Sequence, residues 1–502
     1  MDAVQQHLLL DDYEDGLQKG PNNEGVQPIS LACRNFTGLD IACFWVGIAI
    51  SVSTYYVAGA LVEEGMAWWQ GLLTVALANF LQLLLVVCMG HPGTKYGISF
   101  PVLCRSSLGI RGARIAACVR SLASCGWFGI DTWIGAQALY VFVDVLCNGS
   151  LQDWQAIAWI GISLPQLGCF VAFWLFQLVF ILQGMNGIRY LEKYSAPPLC
   201  ILCVWLLLWA YFKAGGLQEM LSASSQFGPG GTKQGQFWSV FLAGFTANFS
   251  LFSSLSLGIS DITRFARSQK DQVLGHVGFP FFMIAFSFVG LAVSSSTAVI
   301  YGIVISNPVE ILAQIGGVGP TILSLFGMTL VIISTNVTNV IAPSTALINL
   351  FPESMTFRMG ALITAIVGVL MQPWRLFANS QTFMYKWLLG LSLISGPLTG
   401  IVVVDYYIVR RRTLDVDALY YPNIAPFYWY FKGYNLKAVV AFFVGFLANI
   451  PGFLYSAGVL NYVPYICRAA YEVSWFSSFF LGTLSYWVFS VVFKNRCNFH
   501  QS

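Results

Sequence analysis

CGWFGIDTWIGAQALY, residues 125–140, sets one acid, Asp131, in the middle of an apolar stretch running from about 114 to 145. A bilayer core needs about 20 apolar residues per helix, so this stretch is long enough to span one. A carboxyl group at that depth is costly and marks a functional position by default. Trp127 and Asp131 are spaced i and i+4, which puts an indole and a carboxylate on one helix face. A flat heterocycle stacked on the ring would find the acid within reach of its N–H groups.

Runs of the same kind recur over 39–62, 67–90, 114–145, 157–183, 196–215, 239–261, 277–304, 319–342, 357–373, 384–408, 437–459 and 473–493. They predict an all-α integral membrane protein of 12 transmembrane helices, numbered one to twelve in chain order. Composition agrees: 57% of the 502 residues are hydrophobic and 9% charged, against about 25% charged in soluble domains. The net charge of +3 is dispersed, with no basic stripe suited to nucleic acid.

Lysines and arginines orient the chain. With the N-terminus inside, roughly nineteen fall on the cytosolic side and three outside. The inner clusters are Lys95, Arg105, Arg111 and Arg114; Arg189 and Lys193; Arg264, Arg267 and Lys270; and Arg410, Arg411 and Arg412. The sequon at Asn148 then falls in an external loop. The expected organisation is a disordered cytosolic tail (1–38), a ten-helix core (39–408), a cytosolic loop (409–436), two extra helices (437–493) and a cytosolic tail (494–502). The plasma membrane is the expected location, and the oligomeric state is left open. No cofactor or metal is expected. The CxxC of Cys200 and Cys203 sits in PPLCILCVWLLLW without a second pair or a nearby histidine, and Cys147 and Cys467, both in external loops, could pair.

Two further segments carry polar groups into hydrocarbon. In helix eight, LVIISTNVTNVIAPS (330–344), Ser334, Thr335, Asn336, Thr338 and Asn339 crowd into six positions. Such side chains can glue helices together, coordinate a monovalent cation, or bond a ring amide. In helix six, ANFSLFSSLSLGISDITR (247–264), Ser and Gly interruptions predict a broken helix, with a weaker counterpart at Ser51–Val52–Ser53 of helix one. Breaks at matching places in two halves point to inverted repeats with a midplane site. Most of the 16 tryptophans and 40 phenylalanines must serve packing, so Trp133 alone carries no assignment, whereas Trp127 is raised by its partnership with Asp131.

Six segments in order resemble the nucleobase:cation symporter-1 family, in the branch of bacterial and plant uracil, allantoin, purine and hydantoin carriers. They are FWVGIAISVSTYYVAGALVEEGMAWWQG (44–71), HPGTKYGISFPVLCRSSLGIRGA (91–113), CGWFGIDTWIG (125–135), DITRFARSQKDQVLG (261–275), STNVTNVIAPS (334–344) and GPLTGIVVVDYYIVRRRTLDVDALYY (396–421). The resemblance implies a five-plus-five inverted repeat of the sodium:leucine-symporter type followed by two C-terminal helices. It implies that Trp127 and Phe252 stack on the substrate, and that Asp131, Asn339 and Ser51 make polar contacts. It also implies a cation site from the carbonyls of Gly47, Ile50 and Val331 and the hydroxyls of Ser334 and Thr335.

Three departures stand out. Phe252 replaces the family's usual tryptophan, and Asp131 stands where a glutamine is common. Helix eight reads STNVTN where the family tends to STN-x-A-A-N, one residue longer. A missing residue turns the remainder of the helix by about 100°, so Ser334–Thr335 and Asn339 keep their usual facing only with a local bulge or tightening.

The expected function is import of a nucleobase or related heterocycle by proton- or sodium-coupled alternating access. An acid whose charged form is costly in hydrocarbon makes Asp131 a candidate proton carrier, and the shortened helix eight weighs against sodium. The alternative is a facilitative channel or a non-transporting receptor on the same scaffold. A channel would show rings of charges or carbonyls along a pore, and a receptor a signalling tail; neither is evident. An enzyme is not expected, since His7, His91, His276 and His500 all lie away from Asp131.

Overall fold

Helix two shows how the sequence sorts lipid from interior. Along Trp68–Tyr96, Trp69, Leu73, Leu77, Leu81 and Leu84 are exposed, while Asn79 and Gln82 are buried. A water-soluble helix would reverse that arrangement. Polar side chains turn inward here because only the protein interior can satisfy their hydrogen bonds.

The computed structural model describes residues 27–183, 201–315, 318–350, 355–420 and 426–492. Each of the twelve apolar runs holds a helix, and among the described residues no β-strand forms. Five helices are long and apolar enough to cross a membrane by themselves, or six if the bent pair of helix one counts as one span. The expected count of twelve is therefore not reproduced by that criterion. Ile201–Ala214, Phe237–Leu251 and Phe357–Leu370 are shorter, and the 37-residue helix three, Ile110–Leu146, carries Arg111, Arg114, Arg120 and Asp131.

Both expected breaks are present. Helix one divides into Gly38–Ala49 and Val52–Glu63, which meet at 58°. Helix six runs Phe237–Leu251, stops at Phe252, and resumes as Ser253–Leu257 and Ser260–Thr263. At the first break Ser51 Oγ accepts from the Thr54 N–H (3.2 Å) and caps the second half. A side-chain acceptor at this position satisfies one of the free donors of a helix start.

Helix seven, Gln269–Tyr301, packs on both halves of helix one and on helix two. Within that contact Trp45 Nε1 donates to His276 Nδ1 at 2.7 Å, and both residues are buried. Helix three passes helix nine (Phe357–Leu370) so closely that a Cβ on Gly129 would lie 2.5 Å from the Gly368 carbonyl. Small residues permit such approaches between membrane helices.

The segment after helix ten is tied down by a buried acid. Asp405 is fully buried and accepts from Arg410 Nε (2.7 Å), Ser106 Oγ (3.0 Å) and Tyr486 Oη (2.8 Å). It thereby joins helix ten to the short helix Phe100–Leu108 and to helix twelve. Residues 27–37, inside the expected tail, are likewise bound to the core. Ile29 N–H donates to the Gly97 carbonyl (2.9 Å), Arg34 Nη1 to the Thr94 carbonyl (2.7 Å) and Phe36 N–H to the Phe265 carbonyl (2.9 Å). Residues 1–26 and the expected tail 494–502 lie outside the described residues. Cys147 and Cys467 are free thiols, and Cys200 lies outside the described residues.

Candidate functional site

Three of the five expected substrate residues converge. Asn339 Nδ2 donates to Asp131 Oδ2 at 3.1 Å, and Ser53 Oγ reaches Asp131 Oδ1 at 3.5 Å. The acid thus stands at a junction of helices one, three and eight, partly accessible rather than sealed in the core. Trp127, one turn before it, is also partly accessible. Its ring meets those of Phe383 and Trp387 edge-on, at 6.0 and 5.7 Å between centroids. Both partners lie on a π-helical turn, Thr382–Leu388, at the start of helix ten. Irregular turns of this kind recur at functional sites. The sequence signalled neither partner, because aromatics are abundant throughout the chain.

Phe252 sits at the first break of helix six, buried, with its ring edge-on to Phe279 at 6.0 Å. Ser51 is engaged locally: its hydroxyl caps the second half of helix one and lies 2.8 Å from Thr54 Oγ1. The side chain of that segment which reaches Asp131 is Ser53. Trp133 packs against Phe170 and Trp374 and belongs to the core.

Helix eight accommodates its missing residue by tightening. After Val318–Asn336 the chain makes a four-residue 3₁₀ turn, Val337–Val340, then continues as Ile341–Leu350. Such a turn advances about 120° per residue instead of about 100°, so four residues recover about 80° of the deficit. It also rises about 2.0 Å per residue instead of about 1.5 Å, which makes up the lost length. Asn339 consequently still faces helix three. The same turn brings Asn336 under it, because side chains at i and i+3 eclipse in a 3₁₀ helix.

Asn336 opens a second polar layer. It is fully buried, and its Nδ2 lies 3.0 Å from the Phe128 carbonyl, 2.9 Å from Thr132 Oγ1 and 3.3 Å from Gln177 Oε1. Thr132 and Gln177 are fully buried as well. A signal for Gln177 was in the sequence: it is the amide deep in LGCFVAFWLFQLVFI, the apolar helix four.

The expected cation site is half visible. The Ser51 N–H turns to the Ala49 carbonyl (3.0 Å), and the Thr54 N–H turns to Ser51 Oγ. Those are the donors that would have continued the helix onto the carbonyls of Gly47 and Ile50, so the break releases both oxygens. The side chains of Val331, Ser334 and Thr335 lie outside the described residues.

A mostly apolar cavity of about 350 Å³ adjoins the junction. Its wall includes Arg120 and Ala123 of helix three, Ser254 and Leu257 of helix six, and Trp387 and Leu391 of helix ten, but neither Asp131 nor Asn339. Trp387 links this cavity to the junction, since its ring also contacts Trp127. Beside the cavity Arg120 Nη1 pairs with Asp261 Oδ2 at 2.6 Å and links helix three to the end of helix six. His91 and His276 are bonded to Tyr406 and Trp45, away from Asp131. Among the described residues no group of three or more His, Cys, Asp or Glu is placed to hold a metal.

A broken-helix bundle with an acid, an asparagine and a tryptophan at its middle is the architecture of a secondary carrier. Residues 28–477 match the family described as permeases for cytosine/purines, uracil, thiamine and allantoin, and the chain belongs to that family, the nucleobase:cation symporter-1 group. It is 45% identical to a purine-uracil permease of Arabidopsis thaliana, over 93% of this chain and 77% of the relative. It is 33% identical to an allantoin permease of Bacillus subtilis, over 93% and 92%. Among solved structures it is similar to the inward-facing conformation of Mhp1, with a TM-score of 0.73 and 24% identity, covering 94% and 95% of the two chains. The fold is that of the sodium:leucine-symporter type, and the protein is a multi-pass membrane permease and not an enzyme.

Proposed function

We propose that this chain imports a nucleobase or a closely related heterocycle, of the uracil, allantoin or purine class, by cation-coupled alternating access. The ring lies between Trp127 and Phe252, and Asp131 and Asn339 orient it. The observation that carries this reading is the Asn339–Asp131 hydrogen bond, which sets two polar groups beside the Trp127 ring where helices one, three and eight meet. The substrate class is supported by the family and by the purine-uracil and allantoin permeases among its relatives. Ser51 acts on the site through the break it caps.

A proton carried on Asp131 is the first reading of the coupling, because among the described residues this acid bonds to neutral side chains, Asn339 and Ser53. Sodium is the second, favoured by the released carbonyls of Gly47 and Ile50. The clusters of arginine and lysine support cytosolic termini and a place in the plasma membrane.

Uptake of labelled uracil, allantoin and guanine by cells expressing the full chain tests the proposal, in sodium-free buffer across external pH. Accumulation above the external concentration that rises as the medium is acidified is expected for proton coupling. Accumulation that needs sodium and ignores pH would transfer the coupling to the second reading. Equilibration without accumulation would leave a facilitative pore, and no uptake of any panel member would overturn the proposal.

A further inference from the structure

Asn336 determines which end of the Asn339 amide a ligand meets. The Phe128 backbone carbonyl can only accept, so it fixes the direction of any amide bonded to it. Asn336 Nδ2 lies 3.0 Å from that oxygen, and turning the amide over would oppose oxygen to oxygen there. Asn336 Oδ1 therefore faces the other way, 3.1 Å from Asn339 Nδ2. Asn339 Nδ2 also donates to Asp131 Oδ2 at 3.1 Å. An amide nitrogen has two hydrogens, and both are now engaged. Asn339 Oδ1 is left over, with no hydrogen-bond partner among the described residues, on a side chain that is partly accessible.

We infer that Asn339 and the ionised form of Asp131 present an acceptor-only edge to the site, the Asn339 end held by Asn336, and that the preferred ligands are heterocycles with two N–H donors along one edge. The inference rests on the proposed nucleobase function. An asparagine free to rotate would accept or donate as the ring required and would discriminate little. Here its direction follows from a backbone carbonyl two layers away, so the Asn339 acceptor stays in place whichever protonation state Asp131 adopts, and the whole edge accepts when Asp131 is ionised. Asn336 touches no ligand in this arrangement. It is a positioning residue, and the eclipsed spacing of the 3₁₀ turn is what places it against Asn339.

Guanine offers adjacent ring N–H and amino donors, and hypoxanthine is the same ring without the amino group. Binding of both, with uracil and allantoin alongside, can be measured on the purified full chain in detergent by ligand-induced thermal stabilisation. Guanine is expected to bind about ten-fold or more tightly than hypoxanthine, since the lost donor leaves an acceptor unpartnered. In Asn336→Leu that ratio is expected to fall to within about three-fold, because the Asn339 amide is then held by Asp131 alone and turns whenever that acid takes a proton. A purely structural role for Asn336 would weaken both ligands together and leave the ratio unchanged, which would overturn the inference. So would guanine binding no better than hypoxanthine in the unmodified chain, a result that stands even if Asn336→Leu does not fold. Failure of all four rings to bind would instead overturn the nucleobase reading, and this inference with it.

Discussion

Asp131 is held by an amide and a hydroxyl, with no cation bonded to it among the described residues. A carboxylate balanced by an arginine would be fixed in its charge, whereas one balanced by neutral groups can gain and lose a proton as the site opens and closes. Asp131→Asn keeps the shape and removes that capacity. The expected outcome is loss of pH-driven accumulation, with ligand affinity reduced about ten-fold, measured by uptake and equilibrium binding on the same preparation. Trp127 supplies the face on which the ring rests. Stacking of a base on an aromatic side chain is worth about 1–3 kcal/mol. Trp127→Ala should therefore weaken binding by about 5- to 150-fold, while Trp127→Phe should lose less. Trp127, Asp131 and Asn339 were legible in the sequence, because polar or paired groups in an apolar run are conspicuous. Ser53 and Asn336 were harder to single out: the sequence shows a hydroxyl or an amide at these positions, but which one reaches the acid depends on how the helix breaks. Phe383 and Trp387 left no signal, since one aromatic in a chain rich in them looks like any other.

At the scale of elements, the 3₁₀ turn of helix eight, Val337–Val340, sets how Asn336 and Asn339 stand to one another. It restores by overwinding what a missing residue removed. Inserting one alanine between Val337 and Thr338 should let the turn relax to an α-helix with Asn339 still facing helix three. Ligand binding is then expected to persist, since facing and rise are nearly preserved, with the preference for guanine over hypoxanthine reduced because Asn336 loses its eclipsed place under Asn339. A loss of binding would show that the tightened turn itself shapes the site. Helix ten serves stability rather than binding at its far end. Its buried Asp405 pairs with Arg410 and joins three segments, and Asp405→Ala would strand the arginine. Removing one partner of a buried pair costs about 3–5 kcal/mol, so thermal unfolding in detergent should shift markedly, while ligand affinity in the folded fraction is unchanged. The breaks of helices one and six were legible because Ser and Gly interrupt apolar runs there. The overwound turn could be expected only as one of two ways to absorb a deletion.

For the molecule as a whole, composition pointed to a lipid-facing surface, and the fold shows how the residues are sorted to make it. Leu73, Leu77 and Leu84 turn outward while Asn79 and Gln82 turn inward, an inversion of soluble packing that composition alone made necessary. The chain's ordered beginning was not legible. Residues 27–37 read as part of a polar tail, yet Arg34 binds the Thr94 carbonyl at the end of helix two, a contact between segments far apart in sequence. The central claim is that a planar ring binds where Trp127, Asp131 and Asn339 meet. It is tested most directly by saturation binding of tritiated uracil, allantoin and guanine to the purified full chain, compared with Trp127→Ala and Asp131→Asn. The expected result is saturable binding of at least one ring, weakened about ten-fold or more by each substitution separately. Saturable binding that both substitutions leave intact would contradict it and move the site elsewhere in the protein.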